Sequence, residues 1–186
     1  MQANSAFPYF TPGPSNSMNA VTRIFQDVVT DRAVAVEIAN YSSRHDLHRP
    51  HYHTSSGHNF IPPAPTIRRN SNDICAFMKT AGTACGSVGV LTYQFDNHTI
   101  AIMFSNPFDY KMYSIWHGLA IFDGVKVADN ELFNHMYNDE AHNMKRQKVD
   151  QCGGCLELNC NGIYVKATMS SAAKAIMKVE VWDVSA

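Results

Sequence analysis

The sequence predicts a mainly β protein, a β-sandwich flanked by two short α-helices. Short runs rich in β-branched and aromatic residues recur along the chain between turn formers, only two stretches keep helical periodicity, and no internal repeat is present. With 186 residues, 45% of them hydrophobic, the chain can build one substantial core. One domain over residues 17–186 is expected, behind a tail at 1–16 whose Pro8, Pro12 and Pro14 and lack of periodicity read as disorder.

The first element is an amphipathic helix over about 18–30. Met18, Val21, Ile24, Phe25, Val28 and Val29 recur at helical spacing, Ser17 stands as N-cap, and Arg23, Gln26, Asp27 and Thr30 fall on the other side. Its apolar face can pack on the domain or enter a membrane. From Ala33 the period drops to two, with Val34, Val36 and Ile38 alternating with Ala35, Glu37 and Ala39 in a half-buried strand. Further strands are expected at 73–79, 87–95, 98–104, 115–122, 162–169 and 174–182, with turns at Asp96-Asn97 and Asp123-Gly124. Between them Asp129 can cap a second helix, which gathers Leu132, Phe133, Met136 and Tyr137 on one side.

Composition narrows function. Fifteen Lys and Arg against sixteen Asp and Glu leave a net charge of -1, which gives no broad attraction to nucleic acid. No basic stretch followed by an apolar run opens the chain, so no secretory signal is read and a cytoplasmic soluble form is expected. No run of about 18 apolar residues exists, so membrane contact would be made from that soluble state. Five cysteines cannot all pair within the chain, and free thiols are expected.

Enzyme signatures are missing: there is no Gly-rich phosphate loop, no nucleophile elbow and no His-Glu-x-x-His pair, so no catalysis and no cofactor are expected. Two clusters raise metal binding. His45, His48, His51, His53 and His58 crowd into fourteen residues, and His51 and His53 would point the same way from an extended segment. Pro50 and uneven spacing favour a solvated, pH-sensitive loop instead. Cys152 and Cys155, with Cys160 beyond and His142 as a conceivable fourth ligand, form half of a zinc signature without its second pair. Free or redox-sensitive thiols are the preferred reading, and no metal is expected.

The strongest lead is the stretch from Ser105 to His117, which packs four aromatic residues, a proline and two serines between two apolar runs. It is too polar for a core strand and too rich in rings for an ordinary loop, so it reads as a shaped, partly exposed surface. Ring faces attract a quaternary ammonium, and a zwitterionic headgroup also needs hydroxyl or amide donors for its phosphate. Tyr110, Tyr113, Trp116, Phe133 and Tyr137 supply rings, and Ser56 and Ser105 supply hydroxyls. Trp and Tyr also suit a membrane–water boundary. From composition alone, core packing of half these rings explains them equally well.

Here a family resemblance enters. Ser87-Val88-Gly89-Val90-Leu91-Thr92-Tyr93, then Thr99-Ile100-Ala101-Ile102-Met103-Phe104-Ser105-Asn106-Pro107-Phe108-Asp109-Tyr110, resembles the actinoporins, pore-forming cytolysins of sea anemones. Val36-Glu37-Ile38-Ala39-Asn40, Asp129 leading to Met136-Tyr137-Asn138, and the run from Met169 to Val181 fall in the family's order, so the resemblance covers roughly 18–182. The chain looks most like the actinoporin-like proteins found outside anemones, vertebrate ones included.

The resemblance implies an actinoporin-like β-sandwich that binds phosphocholine headgroups, sphingomyelin preferred. It also implies a soluble monomer that oligomerises on the membrane and inserts the N-terminal helix, with Met18, Val21, Ile24, Phe25, Val28 and Val29 as the pore-helix face. Ser56, Val88, Ser105, Pro107, Tyr113 and Tyr137 match positions lining the family's headgroup site. Phe133 keeps a ring where the family has Tyr, and Asn138 replaces a second Tyr. Tyr110, Met112 and Trp116 are the expected membrane contacts, with Met112 and His117 standing where anemone toxins carry Trp. The Arg-Gly-Asp tripeptide of many members gives way to Lys145, Arg146 and Lys148. From Pro14 to Ala33 the helix has room for about 17 residues, roughly 25 Å, against a hydrocarbon core about 30 Å thick. A lectin-like or lipid-recognition sandwich without pore formation is the alternative, since fold does not fix function.

Overall fold

The structure, a computed structural model, describes residues 16–26 and 29–184. Helix α1 (Asn16–Gln26) is followed by strands β1 (Ala33–Asn40), β2 (Leu47–Ser56), β3 (His58–Ile61), β4 (Thr66–Ile67), β5 (Ser71–Met78), β6 (Ser87–Phe95), β7 (His98–Asn106) and β8 (Trp116–Asp123). Helix α2 (Asn130–Asn138) then leads to β9 (Met144–Lys148), β10 (Gly154–Cys160), β11 (Ile163–Met169) and β12 (Lys174–Asp183). Two six-stranded sheets result, ordered β10-β11-β12-β1-β5-β3 and β4-β2-β6-β7-β8-β9. All named pairings are antiparallel except β1 with β12, which run parallel from Ala33 beside Lys174 to Asn40 beside Val181. The expected β-sandwich with two short helices is the observed fold.

Parity along the strands assigns each side chain to a layer. Ile100, Ile102 and Phe104 of β7 join Val34, Val36, Phe77, Leu119, Val165 and Val179 in the core between the sheets. The intervening Ala101 and Met103 face the other way, where α2 covers them with Leu132, Phe133 and Met136. Buried on both faces, β6 and β7 therefore read in sequence as nearly continuous apolar runs. The same logic corrects β1, expected to be half-buried: all eight of its residues are buried. Its outer face is flanked by neighbouring strands and approached by α1, whose Val21 is buried.

Two more expectations change. Helix α1 starts at Asn16, placing Ser17 inside it, and ends at Gln26 rather than near residue 30. Beyond it Val29 is fully exposed, at 103% relative exposure. Val29 and Thr30 are both β-branched, which disfavours helix, and the Thr30 hydroxyl bonds instead to the Arg32 carbonyl at 3.1 Å. Of the expected disordered tail, residues 1–15 lie outside the described residues, as do Val28 and the Met18 side chain. Second, the histidine-rich stretch forms strands β2 and β3 rather than a loop. Register shifts between His48 and His51 and between Thr54 and Ser56, with Arg49 at φ 50°, hide its alternation. The five thiols are unpaired, as expected, with Cys155 and Cys160 on the edge strand β10.

Candidate functional site

The strands bring one end of the second sheet against the end of α2. Ser105 sits directly beside Val88 on one side and Trp116 on the other, all on the face that α2 covers. Helix α2 is set by Asp129, whose Oδ1 accepts the Leu132 amide at 2.7 Å. Leu132 and Met136 anchor it to the sheet, while Phe133 and Tyr137, one turn apart, stack with ring centroids 5.6 Å apart.

The loop after β7 closes the third side. Asn106 is fully buried, and its side-chain amide donates to the carbonyls of Ala33, Ala172 and Ala173 at 3.1, 3.1 and 2.9 Å. Its Oδ1 accepts the Tyr110 hydroxyl at 2.7 Å. Asp109 then turns the chain, its Oδ1 accepting from the Lys111 amide at 2.8 Å and its carbonyl from the Tyr113 amide at 3.0 Å. A methyl group on Gly86 would lie 2.4 Å from the Asn106 carbonyl oxygen and 2.8 Å from Pro107 Cα, so only glycine admits this approach of two backbones.

Between these walls lies a cleft of about 280 Å³ lined by Val88, Ser105, Pro107, Tyr113, Phe133 and Tyr137 together with Ala84, Gly86, Phe108 and Asp109. Six of the expected headgroup residues thus share one cleft. Ser56 stands behind its rim, its hydroxyl donating to the Gly86 carbonyl at 3.2 Å. Asn138 is turned away and bonds back to the Asn134 carbonyl at 3.0 Å.

Among the expected membrane contacts, Met112 is 72% exposed and Tyr110 45%, whereas Trp116 is half-buried. Trp116 lies edge-on to Tyr137, with the Arg146 guanidinium 5.3 Å from its centroid. The next residue, His117, faces the core and is fully buried, so it takes no part in this surface. Burial pushes its pKa down to about 4. Phe108, Asp109 and Gly86 join the lining without a sequence signal, because nothing in their spacing marks the close loop approach that recruits them.

The chemistry of the cleft is that of a cation cage with hydroxyls. Tyr113, Phe133 and Tyr137 present rings, Ser105, Tyr113 and Tyr137 carry hydroxyls, and among the described lining residues Asp109 alone is charged. Such a lining suits a quaternary ammonium tied to a hydrogen-bonding group better than a bare anion. A larger hollow of about 620 Å³ lies by α1, lined by Val21, Glu37, Ile176 and Lys178 and by Cys152 and Cys155, with no aromatic residue among its described lining residues. His51 and His53 lie on one face of β2, but among the described residues no group of three potential ligands could hold a metal ion.

Comparison with known proteins agrees with this architecture. The family model for sea anemone cytotoxic protein matches residues 10–183. The toxin DELTA-alicitoxin-Pse1b of Phyllodiscus semoni is 31% identical over 129 residues, 68% of this chain, and the chain spans 57% of that relative's length. Bryoporin of Physcomitrium patens is 25% identical over 173 residues, covering 91% of this chain and 95% of its own. The solved structure of the lipid binding protein Nakanori shares the fold, with a TM-score of 0.70 at 12% identity over 89% of this chain and 78% of that one. The chain belongs to the sea anemone cytotoxic protein family.

Proposed function

We propose that the protein binds phosphocholine headgroups, those of sphingomyelin preferred, in the cleft beside Ser105, and that it assembles on the membrane into a pore through α1. The convergence of Tyr113, Phe133 and Tyr137 with Ser105 in one cleft carries the reading. The rings would take the choline and the hydroxyls the phosphate. Membership in a family of cytotoxic proteins and the shared fold of a lipid binding protein support it. Met112, Tyr110 and Tyr113, exposed on the same loop, would reach the bilayer interface, with Trp116 packed behind them.

The attachment of α1 suits its role. Among its described side chains only Val21 is buried, and Lys174 Nζ donates to the Phe25 carbonyl at 3.0 Å. An 11-residue helix spans about 16 Å, so crossing a core about 30 Å thick requires it to lengthen once released. Several copies must gather, because one amphipathic helix cannot hide its polar face in lipid. The reading is of a monomer in solution and a homo-oligomer on the membrane, without enzymatic chemistry.

Liposomes with and without sphingomyelin test both halves, co-sedimentation reporting binding and dye release reporting pores. Sphingomyelin-dependent binding with release is expected. Absence of binding to either liposome refutes the lipid reading, and binding without release leaves a lipid-recognition module.

A further inference from the structure

Two arginines flank the cleft in the same manner, and neither enters it. Arg32, in the segment joining α1 to β1, donates from Nε to the Pro107 carbonyl at 2.9 Å and from Nη2 to the Phe108 carbonyl at 2.6 Å. Its guanidinium lies 4.3 Å from the Tyr110 ring centroid and 5.4 Å from that of Phe108. Arg146, on β9, donates from Nη1 to the Tyr137 carbonyl and from Nη2 to the Asn138 carbonyl, the latter at 3.3 Å. Its guanidinium lies over Trp116 at 5.3 Å. Each fork therefore takes the carbonyls of two consecutive residues, and each is paired with an aromatic ring. Pro107, Phe108 and Tyr137 are themselves cleft-lining residues.

We propose that Arg32 and Arg146 are positioning residues of the headgroup site, which hold its loop wall and its helix wall at a fixed separation without touching the ligand. The inference rests on the headgroup reading given above. Arg146 caps the last carbonyls of α2, where a cation is favoured, and so fixes the end that carries Tyr137. Arg32 does the same for a loop that is also tied through Asn106, through Tyr110 and by the Lys79 ammonium, 4.5 Å from the Phe108 ring centroid. A guanidinium can bridge two carbonyls while stacking on a ring; an ammonium supplies the same charge but neither the planar fork nor the stack. The rival role is simple attraction of lipid phosphate by positive charge, which Arg and Lys perform alike.

The test compares Arg32→Lys, Arg146→Lys and the matching Gln variants of the full chain. Soluble phosphocholine is titrated into each, thermal unfolding is recorded alongside, and vesicle binding is measured across a salt series. Positioning predicts that Lys and Gln variants alike lose between about 10- and 100-fold in phosphocholine affinity, and that the Lys variants keep the wild-type salt dependence. Lys variants that bind within about twofold of wild type while Gln variants are weakened overturn the proposal in favour of charge attraction. All four binding as wild type does overturns it outright. If one Lys variant unfolds below the assay temperature, the other decides, since the two walls are held separately. Wild type that binds neither phosphocholine nor sphingomyelin vesicles sinks the headgroup reading itself, and this inference with it.

Discussion

Trp116 and His117 are neighbours on β8 with opposite environments: Trp116 packs on the α2 side among Tyr137 and Arg146, and His117 is sealed in the core. Folding holds the imidazole neutral, with its pKa near 4 rather than the ordinary 6.5. Because the folded pKa is depressed, the unfolded chain takes up the proton first as pH falls. Stability present above about pH 6.5 is lost progressively down to about pH 4, by about 3 kcal/mol in total. Asp183, hydrogen-bonded by Ser42 and Ser43 and held near 2, adds its loss only below its ordinary 3.8. Thermal unfolding from pH 7 to 4 should therefore fall steeply in wild type and more gently in His117→Phe; equal slopes would remove His117 as the cause. Gly86→Ala should weaken phosphocholine binding while leaving much of the fold intact, because the added methyl meets Asn106 and Pro107 backbone atoms. Unchanged affinity in that variant would show that the loop wall can move freely. At this scale the sequence discloses the rings and hydroxyls, since their chemistry is visible in their identity. It conceals Phe108, Gly86 and the two arginines, whose roles depend on backbone approach and carbonyl direction.

Elements were legible where hydrophobic period and turn chemistry agree. Strands β6, β7, β11 and β12 and helix α2 lie where alternation, Asp96-Asn97 and Asp129 place them. Strand β2 was hidden because its bulges break alternation and its histidines mimic a solvated loop. Replacing Asp129 with Ala removes the acceptor for the Leu132 amide and should cost about 1 kcal/mol. The frayed helix would also weaken headgroup binding, since α2 carries Phe133 and Tyr137. Urea unfolding read beside phosphocholine titration checks both effects together. On the pore reading proposed above, helix α1 has a separable task. A chain lacking residues 1–31 retains Arg32 and the cleft, so it should co-sediment with sphingomyelin liposomes yet release no dye. Leakage from that truncated protein would exclude α1 as the pore-forming element.

At the scale of the molecule, the proposed recognition cleft and the helix proposed to insert belong to different sheets. The cleft occupies one end of the second sheet beside α2, while α1 approaches β1 of the first sheet. Residues Asn106 and Arg32 tie the two, because Asn106 bonds the start of β1 and Arg32 bonds the cleft loop. The sandwich follows from the sequence because strand-forming runs dominate and both sheets must bury a face. The site follows only in part, because joining residues 84–88 to 105–113 and 133–137 is a product of strand pairing and helix docking, not of local pattern. On the reading proposed above, this junction receives the headgroup. Amide chemical-shift mapping during titration with soluble phosphocholine tests it most directly: shifts should concentrate at 84–88, 105–113 and 133–137. Shifts concentrated instead around Cys152, Cys155 and Ile176, or no saturable shifts at all, would contradict it.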